Sequence, residues 1–402
     1  MKVRPDLKLF WLALFAAALP RPAGAAQMEA SGYLKEFYRR GRSPLDHRLY
    51  WLSLTRARLT LENASDLVFD SRLKLHLDYD HELRTGTFLK SPEFKTFGLG
   101  EPPGFWDLER TVSARGGRRY RHLLYRAWAG LDRGADQIRA GRQRIAWGTG
   151  KLWNPTDFIN PYQPTAPERD ERRGVDAFSW RRGFGALSQG TLVYTFAGNW
   201  SETDLLGRFR SNARGVDLSL MGGKVSAASS GVAASASSWM AGGDFSFDVW
   251  DGNLHGEATY TDLRRRSAYW KTLIGYEYMF PVNPPLGWLR DVWVLGEYYH
   301  NGAGASAPAG YNPALLSLGR EVALARDYLG FGVNKELHPL VKIEVYQIIN
   351  LTDSSVFLSP SVSWNALKDL YLIFGWQSFG GRASSEYGGL AELGYFQAEY
   401  FF

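Results

Sequence analysis

Apolar and polar residues alternate along most of this chain with a period of two, and no stretch beyond the amino terminus sustains a helical period. The run 66–84 shows the pattern most fully. Phe69, Leu73, Leu75, Leu77, Tyr79 and Leu83 interleave with Asp70, Arg72, Lys74, His76, Asp78, Asp80 and Glu82. In an extended strand these two sets project to opposite faces, one apolar and one densely charged. The alternation returns in Val341, Ile343 and Val345, in Leu254, Gly256, Ala258 and Tyr260, in Phe245, Phe247 and Val249, in Leu370, Leu372, Phe374 and Trp376, and in Val216, Leu218 and Leu220. Such segments are about ten to thirteen residues long. That exceeds the usual globular strand and suits a tilted strand crossing a bilayer.

Strands are predicted over 31–38, 48–62, 66–84, 119–131, 135–147, 174–182, 186–197, 205–211, 214–225, 237–249, 253–263, 268–280, 290–302, 321–335, 339–350, 355–366, 369–380 and 390–402. They number about eighteen, or about sixteen without the short runs 31–38 and 205–211, and single-chain bacterial barrels have an even number. Alternate connections are short and rich in Gly, Asn and Asp, as at 63–65, 132–134, 183–185, 212–213 and 251–252. Pro281 to Leu289 is a longer, proline-rich exception. The other set holds the long loops 85–118, 148–173, 226–236, 303–320 and 381–389. The predicted fold is therefore all-β: one transmembrane antiparallel β-barrel over 26–402 without a plug domain, preceded by a cleavable signal peptide over 1–25.

The signal reading rests on basic Lys2, Arg4 and Lys8, an apolar stretch from Leu9 to Leu19, and Ala23-Gly24-Ala25 as a small-x-small cleavage site. It changes the charge picture. The chain carries a formal +6, but losing Lys2, Arg4, Lys8 and Arg21 against Asp6 leaves +3. A nucleic-acid partner loses its support accordingly. Mean hydropathy of −0.29 excludes a polytopic helical membrane protein. The absence of cysteine excludes a disulfide scaffold, a thiolate zinc site and covalent haem.

A barrel of this size encloses a wet lumen, so the charged face of each strand is expected to line it. On the early strands that face carries Arg56, Arg58, Arg72, Lys74, Arg126, Arg142 and Arg144, interrupted by Asp78, Asp80 and Glu82. These residues form either a basic rail for anionic or polyhydroxylated solutes or a set of ion pairs filling a polar wall. The segment 148–173 stands out next. Pro155, Pro161, Pro164 and Pro167 bar it from a central strand. Trp147, Trp153, Phe158 and Tyr162 in and beside it call for burial, and the nearest shelter is the barrel interior. It is expected to fold inward and narrow the lumen, with Asn154, Asp157, Glu168, Asp170 and Glu171 at the constriction.

The carboxy-terminal YFQAEYFF places Phe396, Ala398, Tyr400 and Phe402 on one face. It resembles the terminal strand of Gram-negative outer-membrane barrels, whose final aromatic residue is read by the barrel assembly machinery. Gly141-Arg142-Gln143, then Trp147-Gly148, then Asn154-Pro155 and Asp157 resemble a segment of large, about 18-stranded porin-like proteins, the alginate-export-type channels among them. The resemblance implies an outer-membrane location, contact with lipid and lipopolysaccharide, small hydrophilic solutes as cargo and a homo-oligomer as an open option.

The leading function is a passive, charge-biased diffusion channel with no cofactor, no metal and no enzymatic activity. A structural sleeve holding a periplasmic or lipoprotein partner, such as a multihaem cytochrome, is the second reading, and an outer-membrane hydrolase the third. Gly148-x-Gly150-Lys151 fails as a phosphate loop, because Ile145 and Leu152 stand where Gly and Ser/Thr are needed. His76, Asp78 and Asp80 share a strand face at about 6.8 Å per two residues, too far apart to chelate one ion alone. Trp250, Trp288 and Trp293 read as membrane-interface anchors. Trp128 and Tyr346 are candidates for a sugar-stacking slide.

Overall fold

Every segment predicted as a strand forms one, because long alternating runs can bury backbone polar groups in a bilayer only by pairing on both edges. The computed structural model describes residues 27–67, 70–98, 104–161, 163–168, 171–226, 238–262, 268–317 and 321–402. The signal segment 1–25, Tyr162, Arg169, Asp170 and most of the Ser/Ala/Gly run 225–238 lie outside the described residues.

The strands are β1 (Gln27–Arg42), β2 (Leu49–Asp66), β3 (Ser71–Thr85), β4 (Glu109–Arg115), β5 (Arg118–Arg133), β6 (Asp136–Gln143), β7 (Val175–Gly183), β8 (Ser188–Thr195), β9 (Leu205–Ala213) and β10 (Val216–Val225). They continue with β11 (Ser238–Val249), β12 (Gly252–Asp262), β13 (Tyr269–Met279), β14 (Val292–Asn301), β15 (Asp327–His338), β16 (Val341–Asn350), β17 (Val356–Leu367), β18 (Leu370–Gly380) and β19 (Leu393–Phe401). Neighbours pair antiparallel in chain order, β3 pairs with β5, and β1 pairs with β19. All but β4 close the barrel, giving 18 wall strands.

The alternation sets the faces. Leu220, Trp239, Trp270, Ile274, Phe331, Phe374 and Tyr400 are large, apolar and exposed on the outside. Trp250 and Trp288 stand highly exposed at the short-turn end, as interface anchors do. Trp293 instead shares the inner face with its partner Glu277, to which it donates a 3.0 Å hydrogen bond.

Two features depart from the expected pattern. First, β2 runs further than expected, and its turn to β3 lies past Asp66, where the Leu67 amide bonds the Ser71 carbonyl at 2.7 Å. Second, β4 occupies part of the expected long loop 85–118 and forms a hairpin with β5 around Gly116 and Gly117, both at positive φ. Gly-Gly between alternating residues is a hairpin signal that the sequence does contain. β4 is needed because β6 is short. β6 leaves the wall at Gln143, and the upper edge of β5 pairs with β4 and Leu108 instead, with Leu124 N to Leu108 O at 2.9 Å.

Candidate functional site

The connection from β6 to β7, residues 144–174, meets the inner face of the ring at several places. At one side two wall carboxylates hold its backbone. Glu257 on β12 accepts from the amides of Thr149 at 2.6 Å, Gly150 at 2.8 Å and Thr156 at 2.9 Å, and from the Thr156 hydroxyl at 2.7 Å. Glu297 on β14 accepts from the amides of Lys151 at 2.6 Å and Leu152 at 3.0 Å, and sits 3.0 Å from His255 Nε2. Both carboxylates are buried. A buried carboxylate is tolerated only where hydrogen bonds satisfy its lone pairs, and here the loop amides do so.

Leu152 and Trp153 seat beside this clamp. Trp153 is 1% exposed and stacks on Tyr299 at 5.3 Å between ring centroids. The socket exists because residue 330 is glycine: a Cβ there would strike Leu152 and approach Trp153 Cζ3 to 2.7 Å. Gly148, at φ +102°, turns the chain where a Cβ would also collide with Asn154 and Glu257. Further on, Phe158 packs with Leu206, Met221, Val225 and Met240, with Trp147 and Ile159 beside them. Gln163 donates to the Glu321 carbonyl at 2.9 Å, and Gln377 on β18 donates to the Thr165 carbonyl at 2.9 Å.

At the other side the loop's acids meet wall bases. Glu168 lies 3.0 Å from Lys35. Glu171 lies 3.3 Å from Arg56 and 3.4 Å from Arg58, and accepts from the Tyr33 hydroxyl at 2.6 Å. Burial by itself would raise the Glu171 carboxyl, but Arg56, Arg58 and Lys35 outweigh it and hold it well below the usual carboxylate range. Asp157 has the opposite balance. Burial pushes it up from 3.8 to about 8, against Arg172 at 3.0 Å.

The expected basic rail is answered by carboxylates. Arg58 binds Asp80 through two bonds of 2.6 and 2.7 Å. Arg56 and Arg121 bind the two oxygens of Glu82 at 2.9 and 2.7 Å, with Arg84 at 3.0 Å. Lys74 pairs with Asp132 at 2.6 Å, and Arg72 pairs with Asp66 at 3.1 Å beside the β2–β3 turn. Asp78 accepts from Thr60 at 2.8 Å and has His76 at 3.2 Å and Arg126 at 4.0 Å. Trp128 is stacked on His76 at 5.4 Å, with the Arg139 guanidinium 4.4 Å over its ring.

Arg142 departs from the expected ladder. A bulge between Asp78 and Tyr79 shifts the pairing of β3 with β5, so Arg142 lies opposite Ala127, and Ala127 opposite Leu77. That is the face of Tyr79 and Leu83, not of Asp78 and Asp80. There Arg142 spans the seam where β6 leaves the wall. It binds Asp176 at 2.8 and 2.9 Å and the Trp106 carbonyl at 2.8 Å, while Trp106 N donates to Asp176 at 3.0 Å. Both charges are buried. Arg144, just past β6, is exposed, and its charge acts on Asp157.

No known family model matches the chain, and no curated protein matches it. Solved structures share its fold. Pseudomonas aeruginosa OccD3 (OpdP) aligns with a TM-score of 0.56 and 9% identity, covering 96% of this chain and 96% of that one. P. aeruginosa OccK5 (OpdH) aligns at 0.53 and 9% over 94% and 97%, and P. aeruginosa OpdK with vanillate at 0.53 and 9% over 94% and 98%.

Proposed function

We propose that this protein is an outer-membrane channel of a Gram-negative bacterium for passive diffusion of small hydrophilic solutes, with residues 148–173 as the constriction. One observation carries the reading. The same loop is bonded to Glu257 on β12 and to Arg56 and Arg58 on β2. Those strands are diametrically opposed, since by either route the same number of strands separates them round the ring. A segment tied to both sides must cross the lumen. Rings of about 16–18 strands leave an aqueous channel unless something fills it, so the loop sets the passage.

The roles of the residues follow. Trp153, Phe158 and Trp147 anchor the loop by burial. Asn154 and Asp157 shape its turn, with Asp157 N donating to the Asn154 carbonyl at 3.0 Å. Glu168 and Glu171 fasten the far end while neutralising Lys35, Arg56 and Arg58. The charge bias of the passage is then the residue left by near-complete pairing. The sleeve reading loses ground, because a partner and this loop would compete for the same space.

The test is single-channel current in a planar bilayer, comparing the refolded mature chain with a variant lacking 152–170. Steady openings that grow in the deletion are expected. A folded barrel that conducts in neither form would overturn the channel and favour the sleeve.

A further inference from the structure

A small cavity opens at the long-loop rim of the barrel. It measures about 180 Å³ and lies between the ends of β1 and β18, the starts of β2 and β19, and the segment 87–97. That is below the roughly 300–1,000 Å³ of sites for drug-sized ligands, so its occupant is small. Leu52, Phe88, Phe379 and Leu393 give it apolar walls. The segment 87–97 is fastened over the first hairpin at two points. Thr87 accepts from the Trp51 amide at 3.1 Å, and Glu93 accepts from the Ser43 hydroxyl. Ser91 caps the short helix Pro92–Phe97 by accepting from the Phe94 amide at 3.1 Å, and Phe94 meets the Phe88 ring edge to face at 6.2 Å. The walls are therefore held by the chain's own contacts.

Two polar groups in this cavity lack partners. Arg39 shares the inner face of β1 with Tyr33, Lys35 and Phe37. It lays its guanidinium 4.3 Å over the Phe88 ring and makes no hydrogen bond or ion pair among the described residues. Stacking uses the face of a guanidinium and leaves its in-plane N–H groups free to fork onto a carboxylate. The charge of Arg84 repels it, and that of Glu168 attracts it from beyond ion-pair distance. Glu93 uses Oε1 for Ser43 and for the Leu45 amide, while its Oε2 is buried and without a partner among the described residues. A buried carboxylate oxygen left unpaired is unfavourable, and an ammonium placed there would relieve it. At the mouth, exposed Arg42 and Glu392 repeat the two signs. A plain anion would satisfy Arg39 and meet two carboxylates. A plain cation would do the reverse, and a neutral apolar molecule would leave both inner groups unpaired.

We propose that this cavity is a capture site for a small zwitterion with an apolar body, its carboxylate on Arg39 and its ammonium on Glu93 Oε2. Apolar α-amino acids are that class. The proposal rests on the channel reading above only in placing the site on a solute's path, over the wall that carries Lys35, Arg56 and Arg58.

The test is titration calorimetry on the refolded chain in detergent, with three probes of similar apolar body. These are L-leucine, isocaproate, which lacks the ammonium, and isoamylamine, which lacks the carboxylate. Leucine is expected to bind at least about tenfold more tightly than either. Arg39→Gln and Glu93→Gln are each expected to weaken leucine by about tenfold or more, with the barrel still closed by its heat-modifiable migration in gels. The second variant keeps the oxygen that Ser43 and Leu45 use. Isocaproate or isoamylamine binding as tightly as leucine, leucine binding unchanged in either variant, or no leucine binding by the folded wild type would each overturn the site. Planar-bilayer current separates this from the channel reading. Leucine bound by a folded barrel that passes no current would overturn the channel and leave the site standing. Steady current without leucine binding would overturn the site and leave the channel.

Discussion

Glu257 shows how one side chain can hold a loop in place. Four donors of the loop converge on its two oxygens, three of them backbone amides that have no other role for their hydrogens. Truncation would leave those donors buried and unpaired. Glu257→Ala is therefore expected to cost the loop about 3 kcal/mol of seating while the barrel itself still folds. The measurement is channel current: larger and noisier openings are expected, and a current identical to wild type would show that the clamp is dispensable. Side-chain roles on this scale are only partly legible in the sequence. That Trp153 needs shelter follows from its size. That its socket opens at Gly330 does not, since a glycine in a strand has many reasons to be there. Arg142 falls outside the expected ladder because alternation counts residues, and a bulge between Asp78 and Tyr79 changes the count.

For the loop as an element, the two ends respond to acid with opposite sign. The Glu171 carboxyl sits below its ordinary 4.5 in the folded chain, so its contribution is present above that value and is lost as pH falls. Asp157 is raised from 3.8 to about 8, so its charged form works against the folded loop across that range and acid relieves it. Current is thus expected to hold steady from about pH 8 through the ordinary carboxylate range and to rise only well below it, where Glu171 itself protonates and the β1–β2 tether releases. Glu171→Gln should show the raised current at neutral pH, with a reversal potential shifted toward anions as Arg56 and Arg58 lose their counter-charge. Unaltered selectivity in the Glu171→Gln channel would show that these arginines do not face the solute.

On the scale of the molecule, closure is the governing fact. The last residue takes part in it: Phe402 N and O each bond Gly32 at 3.0 Å, extending the β19–β1 seam to the end of the chain. These bonds use backbone only, so Phe402→Ala should refold in detergent like the wild type. If the terminal aromatic is what the assembly machinery reads, the same variant should accumulate poorly in the outer membrane. Normal yield in cells would remove that role.

The approximate strand number, hairpin parity, the closed all-β architecture and the identity of the loop that leaves the wall follow from sequence alone, whereas the choice between sixteen and eighteen wall strands and the extra strand β4 do not. The period-two alternation is local, repeats in every strand and has one physical solution in a membrane. The tertiary structure decided which charges meet. Arg58 with Asp80, Arg56 with Glu82 and Glu171, and Glu257 with amides more than a hundred residues away depend on register, tilt and curvature. These are properties of the ring and not of any strand, so a single bulge or a short strand such as β6 resets them. The composition of the inner wall was readable. Which of its bases pair, and with which carboxylates, is decided only when the ring closes.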